Sequence, residues 1–339
     1  MNTEFHYYVT GIVANAAGFP EQEAKTIAAS SEFVDENDVQ IKVRDESKEV
    51  VYQNYISQTM NILKPKQKLM RIYPAFHFVP GQASDKRARR RDGKMHLLNT
   101  TPDNEIANLL LDKAFDASED TRLYRIGIAS HAYADTWAHQ NFVGWYDYFN
   151  SVGLNIKPDI GHSDAEHHPD WVAHRWEDCR LLEEEVDNTE RYLEATEKLY
   201  HKFKTFNENR LKRNVNLTWE ELYGKLVRGF GTSFSGSHNE YHEDRLNFWR
   251  KQASWLGDFD ERVWLEDAMQ IKVRGFKDSK EGILSTFTLI KDEFFWKDPA
   301  QKERTDWYRF QEAVKEHQSY AIALLDPIFK DTGFDLYAI

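Results

Sequence analysis

The 339-residue chain has one cysteine, Cys179. No intramolecular disulfide can form, thiolate zinc sites are excluded, and a reducing compartment is the expected setting. The chain has no long apolar run, so no membrane-spanning helix is expected. Its start, MNTEFHYY, carries no basic stretch leading into a short apolar segment and a cleavage site. A secretory signal is therefore not expected, and the location that follows is cytoplasmic. Also missing are internal repeats, low-complexity tracts, a G-x-S-x-G elbow and a glycine loop for cradling phosphate. Positive charge is in short supply: 44 Lys and Arg stand against 56 Asp and Glu, a net charge of −12. That balance opposes indiscriminate binding to nucleic acid or anionic membranes.

What is present is a large apolar complement, 41% hydrophobic and 14% aromatic, enough for a substantial core. Within it, the stretch from Ile126 to Trp145 carries His131, Asp135 and His139 in steps of four, which share one helix face. Tyr124, Ile128 and Phe142 continue the same stripe, so three polar groups interrupt an apolar seam and need partners. One reading is a buried helix whose polar groups are satisfied within the core. The other is a metal cluster built from His, Asp and Glu, with more than one ion, because the two histidines lie roughly 12 Å apart along the axis. Asp135, between them, is then placed to bridge. Small residues around the three, Gly127, Ala129, Ser130, Ala132, Ala134 and Ala138, let other helices approach with further ligands.

Taken in order, the segments read mostly as helices. They are expected over Thr3 to Ala17, Glu21 to Asp35, Tyr52 to Leu63, Pro102 to Ala117, Glu119 to Phe149, His174 to Asn207, Trp219 to Gly229, His238 to Leu256 and Trp307 to Leu325. Residues 39 to 51 read as a loop or short hairpin, and Gly153 to Pro158 as a break. His6 and Asp35 each end up on an apolar or small-residue face, and His77 lies between Phe76 and Phe78. Each alone is as well explained by a satisfied core histidine or a helix-terminal aspartate. The segment DIGHSDAEHHPDW supplies His162 and Glu166 four apart, followed by His167, His168 and Asp170, a dense source of ligand types. His317, in an apolar stripe, reads as a core histidine. Lys86, Arg87, Arg89, Arg90 and Arg91 form the one dense basic run, either a solvated loop or a rim that attracts phosphate.

The order His6, Asp35, His77, HAYAD (His131, Asp135), His139 and HSDAE (His162, Glu166) resembles the zinc-dependent phospholipase C and single-strand nuclease superfamily. The FHYY start and the FHF segment look like an uncharacterised bacterial branch of it, of unknown function. The resemblance covers roughly residues 1 to 180 and implies an all-α fold over a cluster of zinc ions. It implies that Asp35, His77, His131 and Asp135 hold one ion with Asp135 bridging, that His139, His162 and Glu166 hold a second, and that His6 with Asp135 holds a third. Asp170 competes with Glu166 for the carboxylate position. Secreted members use the amino terminus of the mature chain as a ligand, whereas five residues precede His6 here.

The organisation expected is a metal-binding core over residues 1–210 and a C-terminal helical extension over 211–339, packed as one unit. The expected function is a metal-dependent hydrolase of phosphodiester or phosphomonoester bonds using two or three zinc ions, with manganese or iron as alternatives. Asp35 and Asp135 carry its chemistry, Asp35 by orienting or deprotonating a water. Arg89, Arg90 and Arg91 would meet phosphate, and Trp137, Trp145 and Trp171 a base. The substrates expected are a phosphate-containing small molecule, a nucleotide or single-stranded nucleic acid, with membrane binding disfavoured. Two competing expectations are a metal-stabilised helical binding protein without turnover and a carboxylate-histidine iron enzyme. The iron reading ranks last because such sites favour Glu and His three apart.

Overall fold

The computed structural model describes residues 1–45, 48–59, 69–152, 159–272 and 293–337. The chain opens with a π-helical turn (Glu4–Val9) that runs into α1 (Thr10–Ala16). Gly18, at φ 108°, closes it, and Pro20 leads into α2 (Glu21–Glu36). After strands β1 (Lys42–Asp45) and β2 (Lys48–Gln53) come the short helix α3 (Tyr73–Phe76), α4 (Glu105–Phe115) and α5 (Arg122–Ala138). Short strands β3 (Tyr146–Asp147), β4 (Asp159–Ile160), β5 (Arg175–Glu177) and β6 (Glu185–Asp187) precede α6 (Asn188–Phe206). The remainder comprises α7 (Trp219–Phe230), α8 (His242–Gln252), α9 (Arg262–Ala268), β7 (Met269–Lys272), β8 (Glu293–Trp296) and α10 (Asp306–Asp331).

α5 is the axis of the molecule. Every residue from Tyr124 to Ala138 is buried, and α2, α3, α4, α6 and α10 pack around it. A helix apolar on nearly every side belongs at the centre of a core. The closest approach is to α2 at Gly127, where a Cβ would lie 2.4 Å from the Ile27 carbonyl oxygen and 2.5 Å from Ser30 Cβ. The main hydrophobic cluster draws residues from Met1 to Leu336, including Leu222, Trp249 and Phe310, so segments 1–210 and 211–339 share it. No helix among the described residues is long and apolar enough to cross a membrane.

The all-α expectation is not met. A four-stranded mixed sheet has the order β2-β1-β8-β7, and two further two-stranded pairings, β3 with β4 and β5 with β6, flank the helices. β1 pairs antiparallel with β2 but parallel with β8, Val43 lying opposite Phe294. Partners some 250 positions apart leave no local signature, and strands of four to six residues are too short for a clear period of two. The sheet has its own small core of Val43, Met269, Trp296 and Trp307, so tertiary packing stabilises these segments. Residues 52 and 53 finish β2 rather than start a helix, and residues 60–63 of that expected helix lie outside the described residues, as does the Gly153 to Pro158 break. The helix expected from His174 begins only at Asn188, where the Asp187 carboxylate accepts the Thr189 and Glu190 amides. The residues before it form the β5–β6 hairpin, which buries Val186 and leaves Leu182 exposed.

His317 is a core histidine as read. It is fully buried, donates Nε2–H to the Ala75 carbonyl at 3.0 Å and stacks on Phe76. Burial, reinforced by the Arg125 charge, pushes it down to about 3. The fold therefore holds it neutral, while the unfolded chain protonates below its ordinary pKa of 6.5. Stability from this group is complete above pH 6.5 and is lost as pH falls towards 3. In chelator-treated protein, wild type should lose about 2 kcal/mol more unfolding free energy between pH 7 and pH 5 than His317→Phe does. Equal losses in urea titrations at the two pH values would contradict this assignment.

Candidate metal centre

Four elements converge on α5. The π-turn brings His6, the last turn of α2 brings Asp35, and His77 caps α3. α5 carries His131 and Asp135 and is capped by His139, while the loop before β5 brings His162 and Asp170. Three groups have ligand atoms within 4.8 Å of one another: His6, Asp35 and His131; His77, His131 and Asp135; His139, His162 and Asp170. His131 belongs to two of them.

Asp135, 1% exposed, joins the groups through its two oxygens. Oδ1 faces His6 Nε2 at 3.1 Å and the Met1 amino group at 2.7 Å. Oδ2 faces His131 Nε2 at 3.2 Å, His77 Nδ1 at 3.3 Å and His139 Nδ1 at 3.5 Å. The Met1 amino group also lies 3.3 Å from Asp170 Oδ1, and His139 and His162 each present Nε2 to Asp170 at 3.5 Å.

The ring orientations are set from outside the cluster. His131 Nδ1 donates to the Ser31 carbonyl (2.8 Å), His77 Nε2 to that of Ser57 (3.0 Å), His139 Nδ1 to that of His77 (2.7 Å) and His162 Nδ1 to that of Glu166 (2.8 Å). A histidine that gives one N–H to a backbone carbonyl turns its other nitrogen, with its lone pair, the opposite way. For these four rings that direction is towards the carboxylates. The lone pairs then crowd one another, His131 Nε2 lying 3.1 Å from His77 Nδ1, and His6 stacks on His131 at 3.7 Å. His6 Nδ1 and Asp170 Oδ1 are buried with no hydrogen-bond partner. Such a set could hold a divalent cation, and imidazole with carboxylate donors suits zinc, manganese or iron.

The central carboxylates are held ionised, while the imidazoles around them are shifted in both directions. Burial alone would raise the Asp135 carboxyl, yet His139, the Met1 ammonium and His131 hold it well below the usual carboxylate range. Asp170 is likewise held low against its burial by His162 and the Met1 ammonium. Burial and the neighbouring positive groups push His6 down to about 3, which keeps its ring neutral near pH 7. Burial also lowers His162, whereas at His77 it is outweighed by Asp135 and Asp35, which raise that ring. For the Met1 amine, burial is overcome by Asp135, Asp170 and Asp35, raising it to about 11.

Most residues singled out by spacing meet here. Glu166 does not: it is exposed, at φ +52°, and contributes its carbonyl to His162 while Asp170 supplies the carboxylate. Asp170→Ala should therefore remove one equivalent of bound metal and Glu166→Ala none, because alanine keeps the carbonyl. The reverse result by elemental analysis would restore Glu166 as ligand.

The basic run lies elsewhere in its roles. Arg90 is buried over the Phe149 ring at 4.1 Å and donates to its carbonyl (2.7 Å), and Arg91 donates to the Leu181 carbonyl (2.9 Å) and pairs with Glu184. Of the three arginines expected to meet phosphate, Arg90 is thus held by Phe149 and Arg91 by Leu181 and Glu184, while Arg89 and the outer part of Arg91 are exposed. Trp137 is fully buried and Trp145 nearly so; Trp171, next to Asp170, is partly exposed. Unforeseen in the sequence were the Met1 amino group and the Ser31 and Ser57 carbonyls, since backbone groups and chain termini have no residue-type signature.

No curated protein and no solved structure matches the chain. Residues 1–325 match the model of a family of unknown function, DUF6765, and the chain belongs to that family.

Proposed function

We propose that this protein is a metal-dependent hydrolase of phosphoester bonds, related to the zinc-dependent phospholipase C and single-strand nuclease superfamily. The observation that carries the reading is the set of four imidazoles whose N–H groups are taken by backbone carbonyls and whose free nitrogens face shared aspartates. When bound, clustered divalent ions supply an activated water and neutralise a phosphoryl group. The chain's residues do the positioning. Asp135, backed by His6, His77, His131 and His139, stays ionised in a dry site. Asp35, 30% exposed and 3.6 Å from His77 Nδ1, is the carboxylate open to solvent and the one placed to orient a water or take its proton. The acidic balance of the chain favours small phosphoesters, nucleotides or short single strands over a lipid surface.

The decisive experiment counts zinc per chain in protein purified without chelator, then follows cleavage of a chromogenic phosphodiester before and after chelation. Two or three ions with chelator-sensitive cleavage, restored by zinc, are expected. Less than one ion per chain would refute the metal reading. Bound zinc without turnover would favour a metal-stapled binding protein, a role suited to ligands drawn from the π-turn, α2, α3 and α5.

A further inference from the structure

The part of the chain that the metal reading leaves without a role is the segment after α7. Within it, residues 239–258 converge on the N-terminal π-turn. Glu4 is fully buried and accepts from Arg245 Nε at 3.0 Å to each oxygen, from Trp249 Nε1 at 3.0 Å and from His242 Nδ1 at 3.3 Å. Arg245, 3% exposed, is itself held by the Glu240 carbonyl (2.7 Å) and Asn239 Oδ1 (2.6 Å). Tyr7 donates to the Leu256 carbonyl at 2.9 Å and Tyr8 to Asp258 at 2.6 Å. Thus Glu4, Tyr7 and Tyr8 are anchored to residues 239–258, while His6, between them, points the other way to Asp135.

A π-turn is less stable than the α-helix it interrupts and persists where outside contacts or a function hold it. Relaxing Glu4–Val9 to α-helical geometry would change the rotation between the anchored residues and His6. We infer that residues 239–258 form a positioning brace, with the Glu4–Arg245–Trp249 contact at its centre, that sets His6 against Asp135 and Asp35. This inference rests on the proposed metal site and assigns Glu4, Arg245 and Trp249 as positioning residues without contact to metal or substrate. The buried pairing also explains the cost the chain accepts: a carboxylate and a guanidinium taken out of water need every hydrogen bond satisfied, and Glu4 has several donors.

The test compares full-length wild type, Arg245→Met, His6→Ala and the double variant by zinc titration and by the visible spectrum of the cobalt(II)-loaded proteins. Arg245→Met should weaken one ion about tenfold or more, the magnitude typical of groups that orient ligands, and leave the others at wild-type affinity. It should reproduce the spectral change of His6→Ala and add nothing in the double variant. If Arg245→Met does not fold, Trp249→Phe, which deletes one N–H from Glu4, is judged by the same criteria. A brace variant that lowers Tm but keeps wild-type affinity for every ion and an unchanged cobalt spectrum overturns the inference and leaves the metal site standing. A wild type that binds no metal overturns both.

Discussion

Asp135→Ala is expected to lose most of the bound metal and to reduce phosphodiester cleavage on the order of a thousandfold or more, equivalent to several kcal/mol of lost electrostatic stabilisation. Its carboxylate is shared by five groups: one oxygen meets His6 and the Met1 amine, and the other meets His77, His131 and His139. Removing it leaves the buried groups around it without the carboxylate they share. The chelated variant should therefore also be less stable than chelated wild type, by about 3–5 kcal/mol. Asp135→Asn separates the two effects, since it keeps the volume and one acceptor but loses the charge. Full zinc content and near wild-type turnover in Asp135→Ala would contradict the bridging role.

Gly127→Ala should destabilise the protein by about 1–3 kcal/mol although it adds a single methyl group and good helix propensity. The new Cβ would stand 2.4 Å from the Ile27 carbonyl oxygen and 3.0 Å from the Ser31 amide nitrogen. These are backbone atoms of α2, so no rotamer change relieves them, and α2 must move from α5. That movement draws Ser31, whose carbonyl orients His131, and Asp35 away from the cluster. The variant should consequently lose zinc affinity as well as Tm. Gly224→Ala, on the half-buried side of α7 with nothing closer than an Arg228 nitrogen at 3.7 Å, is the control and should be neutral or slightly stabilising. Chemical unfolding of both variants, with zinc titration, checks the pair; equal behaviour would show that the α2–α5 contact tolerates separation.

Residue types and spacing sufficed for the ladder of His131, Asp135 and His139, because a period of 3.6 is local and puts i and i+4 on one face whatever surrounds the helix. They sufficed also for the boundaries of the first two helices, where Gly18 and Pro20 act through their own backbone restrictions. Candidates for the remaining ligands could be read in order along the chain, but spacing could not choose between Glu166 and Asp170. That choice was made by backbone conformation: Glu166 sits at positive φ with its side chain outward, while Asp170 folds back beneath His139 and His162. The sheet was likewise a tertiary decision, since β1 and β8 pair across most of the chain length and gain their stability from Trp296 and Trp307. So was the placement of the basic run, in which Arg90 and Arg91 donate to the Phe149 and Leu181 carbonyls. The sequence alone determined which side chains were able to hold a metal and which helix would carry the central three. Only the tertiary structure decided which nitrogens face inward, because that depends on carbonyls at Ser31, Ser57 and Glu166 that any residue type would have supplied.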